Sequence, residues 1–169
     1  MWRLAYRLWV DIVDLAEGRI TVDDPRAEDI RELLERHLAF CNLHSPPEDV
    51  HALDVDGLAG PDITFVSYRV NGELLAVGAL KQLDPRHGEL KSMHTVSAAR
   101  GLGIARMLVD HLIGIARDRG LERVSIETGS MEAFAAARAL YASAGFYECG
   151  PFADYVPSAN STFMTRLVV

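Results

Sequence analysis

A glycine turn between a strand pattern and a helix pattern offers the chain's clearest site for chemistry. Residues 100–103, Arg-Gly-Leu-Gly, follow the roughly alternating residues 90–96. Apolar residues then recur at helical spacing over residues 105–116, and Gly120 ends the helix. The first N–H groups of a helix have no partner within it, and glycines leave such a turn open. The sequence therefore predicts a phosphate or pyrophosphate site at residues 100–106.

Two common phosphate motifs do not fit this turn. A P-loop needs Gly, four residues and then Gly-Lys-Ser/Thr, and the chain has no such run. A dinucleotide fingerprint needs Gly or Ala three positions after Gly103, where Arg106 stands. The net charge of −7 also argues against nucleic acid and anionic membranes as partners. An anionic ligand must then be held by backbone amides and local arginines, for which Arg100, Arg106 and Arg138 are the candidates.

The histidines and cysteines do not predict a metal site. Five histidines recur at intervals of seven, in two sets: His37, His44 and His51, and then His87 and His94. Residues 45–47, Ser-Pro-Pro, interrupt any helix joining the first set, and no cysteine or carboxylate completes a ligand spacing. Cys41 and Cys149 are predicted to be reduced packing residues of a cytoplasmic protein.

Length and composition predict one domain with one sizeable core. The chain has 169 residues, 49% of them hydrophobic. We assign residues 19–169 to this domain and residues 1–18 to an N-terminal extension. The extension is predicted to be a helix that packs on the domain or on a second subunit. Asp11 and Asp14 interrupt its apolar run, which is too short to span a membrane.

The elements that must position the glycine turn alternate between strands and helices, which predicts an α/β fold. Strands are predicted at residues 19–22, 63–70, 73–83, 90–96, 123–128 and 162–168. Helices are predicted from Asp24-Pro25 to Cys41, after Gly103, and over an alanine-rich stretch ending at Ala144-Gly145. Asn71-Gly72 predicts a tight hairpin between the second and third strands.

Two motifs resemble those of the GNAT acetyltransferases. Arg100-x-x-Gly103-x-Ala105 is similar to that family's (Gln/Arg)-x-x-Gly-x-(Gly/Ala) signature, and residues 139–146 resemble the end of its second motif. The resemblance runs from about Ile20 to the end and includes a bacterial, YsnE-like subgroup. It implies the acyl-CoA N-acyltransferase fold, an α+β mixed sheet with splayed central strands between flanking helices.

The resemblance also implies where acetyl-CoA binds. Residues 93–95 would contact the pantetheine arm by main chain, and residues 101–106 would hold the pyrophosphate. The cofactor-binding set implied by motif position, with the arginines above, is Met93, His94, Thr95, Arg100, Gly101, Leu102, Gly103, Ile104, Ala105, Arg106, Phe134 and Arg138. Phe134 is a departure, because many family members have an Asn there that contacts the cofactor.

Three side chains occupy positions that are catalytic in family members. Glu89 and Glu127 each stand where some members have the base that takes a proton from the amine, and Tyr141 stands where a tyrosine protonates the thiolate. Each also has a structural interpretation. Glu89 pairs with Lys91 or a surface arginine, Glu127 bonds backbone groups or an arginine, and Tyr141 packs at a helix end.

The expected reaction is direct attack of a small metabolite's primary amine on acetyl-CoA in a ternary complex. The acceptor pocket is predicted to contain His44, Ser45, His51, Tyr155 and Asn160. A peptide or protein N-acetyltransferase and a non-catalytic acyl-CoA-binding module are the alternatives. The resemblance further implies a homodimer.

Overall fold

The computed structural model describes residues 17–168, which form a seven-stranded sheet with helices on both faces. The strands are β1 (Arg19–Val22), β2 (Ile63–Val70), β3 (Glu73–Gln82), β4 (His87–Thr95), β5 (Arg123–Gly129), β6 (Tyr147–Cys149) and β7 (Ser161–Leu167). The α-helices are α1 (Glu28–His44), α2 (Val55–Leu58), α3 (Ile104–Asp118) and α4 (Ala135–Ser143). Most of the predicted N-terminal extension lies outside the described residues.

The sheet opens in its middle. The strand order is β1-β2-β3-β4-β5-β7-β6, and every neighbouring pair is antiparallel except β4 and β5. The parallel pairing of β4 with β5 covers only residues 87–89 and 123–125. Beyond Glu89 and Ser125 the two strands separate, which leaves main-chain groups of both strands facing a gap. This arrangement confirms the predicted fold class, including the splayed central strands.

Each face of the sheet carries its own apolar cluster. Helix α3 covers one face, where Ile104, Leu108 and Leu112 are fully buried. Helix α1 covers the other, where Ile30 and Leu33 pack against β2 and β3. These helices bury only one stripe each, as amphipathic helices on a sheet do. The C-terminal half of α1 is therefore left to line the gap between β4 and β5.

Local chemistry explains the element boundaries. Asn71 and Gly72 have φ of 51° and 84°, as a tight hairpin between β2 and β3 requires. Helix α1 begins at Glu28, three residues after Pro25, because the Asp24 carboxylate accepts a hydrogen bond from the Arg26 amide and forms a turn instead of a cap. No helix among residues 17–168 is long and apolar enough to cross a membrane.

Candidate active site

A cleft of about 510 Å³ occupies the gap between β4 and β5. One wall is the second half of β4, and the floor is β5 from Ile126 to Gly129. The C-terminal half of α1 and residues 49–52 close one side, and the start of α4 closes another. The glycine turn at residues 100–106 lies at the end of β4. The splay therefore places the predicted phosphate site beside the two strands that carry Glu89 and Glu127, around one cavity.

The glycine turn is shaped for a ligand that approaches its backbone closely. Gly101 and Gly103 have φ of +79° and +81°, in the left-handed region where only glycine is unstrained. A Cβ added at either position would meet no atom within 4 Å. Gly103 is the residue before Ile104, where α3 begins, so the unpaired amides of the first helical turn are open to the cleft side.

The three candidate arginines differ in what holds them. Arg100 donates from Nε to the Thr95 carbonyl at 3.3 Å and remains exposed. Arg106 bridges α3 and α4, since it bonds Asp110 at 2.9 Å and the Ser143 carbonyl at 2.9 Å. Both arginines line the cleft.

Arg138 has a different position. Its guanidinium donates to the carbonyls of Gly129 and Met131 at 2.6 and 2.9 Å, and the residue is not among those lining the cleft. These bonds tie α4 to the turn that follows β5. In this structure, Arg138 supports the wall of the cleft.

Glu127 is a carboxylate on the cleft floor. Its Oε1 accepts a hydrogen bond from the Ser161 hydroxyl at 2.7 Å, and no lysine or arginine of the described residues comes within 4 Å of it. Burial raises the pKa of Glu127, against the smaller lowering effect of the Ser161 hydrogen bond. A carboxylate with a raised pKa and few donors is a better proton acceptor than an ordinary surface carboxylate.

Tyr141 lies on α4, which forms one side of the cleft. Only 4% of the residue is exposed, although it lines the cleft. Burial, with a smaller effect from the Glu127 charge, raises the pKa of Tyr141 above its ordinary value. The phenol therefore keeps its proton, which is the state that a proton donor needs.

Glu89 faces a different set of partners. Its Oε1 accepts from Lys91 Nζ at 3.1 Å and from the Tyr155 hydroxyl at 2.5 Å. Lys91 also donates to Tyr155 at 2.8 Å and to the His51 carbonyl at 3.1 Å. Glu89 and Tyr155 are not among the residues that line the cleft, but Lys91 and His51 are. We call these four residues the Lys91 cluster.

His37 and His94 form a half-buried imidazole pair between α1 and β4. Their Nδ1 atoms lie 3.2 Å apart, and the Cys41 sulfur lies 3.9 Å from His37 Nε2. Burial lowers the pKa of His37 to about 4 and that of His94 to about 3, the latter helped by His37 and Arg100. Both rings are therefore neutral at neutral pH, and one donates to the other.

The structure brings most of the predicted site residues together. Those that line the cleft are Ser45, His51, Met93, His94, Thr95, Arg100, Gly101, Gly103, Ile104, Ala105, Arg106, Glu127, Phe134 and Tyr141. Four others lie beside lining residues: Glu89 and Tyr155 through Lys91, Asn160 through a 2.9 Å bond to Asp49, and His44 through its ring contacts. Leu102 and Arg138 do not line the cleft.

Aromatic side chains narrow the cleft between α1 and α4. The Phe40 ring lies 5.2 Å from the Phe134 ring, centroid to centroid, and 4.6 Å from the His44 ring. Phe134 also packs on Gly129, where any side chain would collide with it. The position that carries Asn in many relatives is therefore an apolar wall here.

Several lining residues were not predicted as part of the site, among them Lys91, His37 and Asp49. Lys91 was considered only as a partner of Glu89, although its i, i+2 spacing from Glu89 on a strand places both on one face. His37 was considered only among the regularly spaced histidines, and Asp49 was not considered. Among the described residues, no group of three or more His, Cys, Asp or Glu is arranged to hold a metal ion.

Solved structures identify the fold as that of the acyl-CoA N-acyltransferases. The structure superposes on an acyl-CoA N-acyltransferase of Klebsiella pneumoniae with a TM-score of 0.75 and 24% identity, covering 91% of this chain and 99% of that one. A Bacillus subtilis acetyltransferase solved with CoA gives a TM-score of 0.67 at 18% identity, covering 90% and 99%. At these identities the likeness concerns the fold.

Sequence comparison supplies the family. The Acetyltransferase (GNAT) family profile matches residues 27–146. The chain is 48% identical to the N-acetyltransferase YsnE of Bacillus subtilis, over 87% of this chain and 97% of that protein. It is 41% identical to the N-acetyltransferase YedL of Escherichia coli, over 86% and 92%. The chain therefore belongs to the GNAT family and is an acetyl-CoA-dependent acetyltransferase, as its motifs predicted.

Proposed function

We propose that this acetyltransferase acetylates the primary amine of a small metabolite, by direct attack on acetyl-CoA within a ternary complex. The observation that carries the proposal is the half-buried Glu127 carboxylate, which lies on the floor of the cleft with no cation of the described residues within ion-pair distance. A cationic ammonium group fits such a carboxylate, and the same carboxylate can then take its proton.

The residues of the cleft fit acetyl-CoA. The open backbone at Gly101 and Gly103 would accommodate a pyrophosphate, with Arg100 and Arg106 beside it. The edge of β4 that faces β5 is unpaired at residues 93–95 and would hold the pantetheine arm. When bound, acetyl-CoA supplies the acetyl group as a thioester.

The proton steps belong to this chain's own residues. Glu127 would accept a proton from the amine, because its pKa is raised and it lies in the cleft. Tyr141 would donate its phenolic proton to the sulfur that leaves, because burial keeps it protonated. The Glu127 charge contributes to the raised pKa of Tyr141, and both side chains line the same cleft.

The acceptor is expected at the side of the cleft where residues 45–52 meet the loop after β6. Asp49, His51 and Glu127 face this side, and Asp49 is tied to Asn160 across it. A cleft of about 510 Å³ that must also hold the end of acetyl-CoA favours a small acceptor over a long peptide. The carboxylates of Asp49 and Glu127 and the apolar side chains of the cleft favour a positively charged acceptor with an apolar body.

The test is a thiol-release assay against a panel of small amines, with N-terminal peptides as a second panel. We expect turnover with a subset of the amines, and Glu127→Gln should lower kcat by about 10²- to 10⁴-fold. The melting shift that acetyl-CoA produces should be unchanged in this variant, since Glu127 is not needed for cofactor binding. Turnover confined to the peptide panel, or full activity in Glu127→Gln, would refute the proposal.

A further inference from the structure

Lys91 and Glu89 form a buried ion pair next to the cleft. The Lys91 side chain is 10% exposed and the Glu89 side chain 4%, and their charged atoms lie 3.1 Å apart. Removing two charges from water is costly, and it is tolerated when good geometry and further hydrogen bonds satisfy the remaining groups. The further hydrogen-bond partners of Lys91 and Glu89 therefore indicate the function of this ion pair.

The hydrogen bonds of Lys91 form a closed set. An ammonium group has three N–H donors, and Lys91 has three acceptors: Glu89 Oε1, the Tyr155 hydroxyl and the His51 carbonyl. Because Tyr155 accepts from Lys91, its own proton goes to Glu89. The direction of every bond in the Lys91 cluster is thereby fixed, and it joins β4 to the loops that carry His51 and Tyr155.

This set also disfavours proton acceptance by Glu89. Oε1 of Glu89 accepts two donors, one of them the Lys91 ammonium group, and a proton on either carboxyl oxygen would remove the negative charge that pairs with Lys91. Glu127, in contrast, accepts from a neutral hydroxyl and faces the cleft. The two candidate glutamates are thus in opposite situations, and Lys91 makes the difference.

We propose that Lys91 is a positioning residue that commits Glu89 to holding the two acceptor-side loops and so assigns proton acceptance to Glu127. The inference rests on the proposed amine acetylation. In that step the electron pair of the amine nitrogen forms a bond to the acetyl carbon, and an N–H proton moves to Glu127, which becomes a neutral carboxylic acid. The C–S bond breaks, and the leaving sulfur takes the phenolic proton of Tyr141. Glu89 keeps its charge throughout.

Lys91 also acts on Glu127 through its charge. The groups that influence or contact Glu127 come from every surrounding element: Lys91 and Glu89 of β4, His51 of the segment between α1 and α2, Ser161 of β7, Cys41 of α1, Tyr141 of α4, and Tyr155 of the loop between β6 and β7. The positive charge of Lys91 lowers the pKa of Glu127, whereas Glu89 raises it. Loss of Lys91 should therefore raise the pH at which Glu127 loses its proton.

The experiment compares Lys91→Met, Lys91→Arg, Glu89→Gln and Glu127→Gln by the pH dependence of kcat/KM for an active amine. We expect Glu127→Gln to lose the acidic limb of the pH profile, which is the fall of kcat/KM toward low pH, and Glu89→Gln to keep it. In Glu89→Gln the KM for the amine should rise by about tenfold or more, because the two loops are displaced. Lys91→Met should move the limb to higher pH, and Lys91→Arg should restore it in part. Lys81→Met is the matched control, since Lys81 on β3 lies 4.0 Å from a half-exposed Asp62 and outside the cleft.

A second measurement uses the unliganded protein. The melting temperatures of Lys91→Met, Glu89→Gln and the double variant form a double-mutant cycle, and a closed cluster predicts that the double variant loses clearly less than the sum of the single losses. The inference is overturned if the losses add, if the acidic limb stays in place in Lys91→Met, or if Glu89→Gln loses the limb and Glu127→Gln keeps it. Failure of the wild type to turn over any amine is a separate result, which overturns the proposed function as well.

Discussion

The imidazole pair of His37 and His94 should make the folded protein sensitive to acid at a pH well above that of ordinary carboxylates. Their Nδ1 atoms are 3.2 Å apart, a distance with room for one proton between them. Two imidazolium rings would place two protons there, in addition to the cost of burying two charges. Replacement of both residues by Asn keeps a polar group near each Nδ1 position and removes the titration.

The size of the effect follows from the pKa values. Burial lowers the pKa of His37 from 6.5 to about 4 and that of His94 to about 3. Between these values and 6.5 the unfolded chain binds more protons than the folded one, so stability falls as the pH falls. Each histidine then loses about 1.4 kcal/mol per pH unit. From pH 6.5 to 4.5 the pair loses at most about 5 kcal/mol, which is comparable to the whole stability of a small domain.

The assay is urea denaturation of the unliganded protein at a series of pH values from 8 to 4.5. The wild type should lose stability steadily below about pH 6.5, whereas the His37→Asn/His94→Asn variant should be much less dependent on pH. His87, whose pKa is also lowered by burial, remains in both proteins and cancels in the comparison. Asp23 and Asp29 have lowered pKa values and lose their contribution only below this range. Equal pH slopes in the two proteins would refute the argument.

Two further predictions concern the cleft. Gly103→Ala and Gly72→Ala should each lose about 1 kcal/mol of stability, because both glycines have φ above +80° with open space for a Cβ, but only Gly103→Ala should weaken the acetyl-CoA melting shift. Equal shifts in the two variants would show that the glycine turn does not hold the cofactor. Tyr141→Phe should lower kcat by about 10²-fold with the acetyl-CoA shift intact; an unchanged kcat would leave Tyr141 as a packing residue beside Phe146.

The sequence predicted the elements well where local chemistry determines them. Asn71-Gly72 is sufficient for the hairpin, and the glycines at 101 and 103 are sufficient for an open turn before α3. The start of α1 was wrong by three residues, because Asp24-Pro25 satisfies both a helix-start pattern and the turn that forms. Such ambiguity is resolved by contacts that a local pattern does not contain.

The parts of the site that depend on distant contacts were out of reach. Tyr155 meets Glu89 across 66 residues of chain, and His37 meets His94 across 57. No spacing rule connects these positions. The bonds from Lys91 to Tyr155 and His51, and the imidazole pair, can therefore be recognised only in the folded structure. The same holds for Arg138, whose position in a motif says nothing of the two carbonyls it bonds.

A Ser-His contact at the closed end of the splay shows how hydrogen-bond direction decides function. His87 Nε2 lies 2.7 Å from the Ser125 hydroxyl, a distance that in other settings indicates a nucleophile and its base. Here the Arg123 guanidinium, which can only donate, lies 3.2 Å from His87 Nδ1. Nδ1 must therefore accept, and the neutral ring carries its proton on Nε2.

The remaining protons follow in order. His87 donates to Ser125, Ser125 donates to Thr165 at 2.9 Å, and Thr165 donates to the Val124 carbonyl at 3.4 Å. Since Nε2 already holds a proton, His87 cannot take one from Ser125, and the pair is not a nucleophilic centre. The chain of bonds instead joins β4, β5 and β7 at the three residue pairs where β4 and β5 still meet. It therefore ties the three strands together at the end of the splay, next to the point from which β4 and β5 separate.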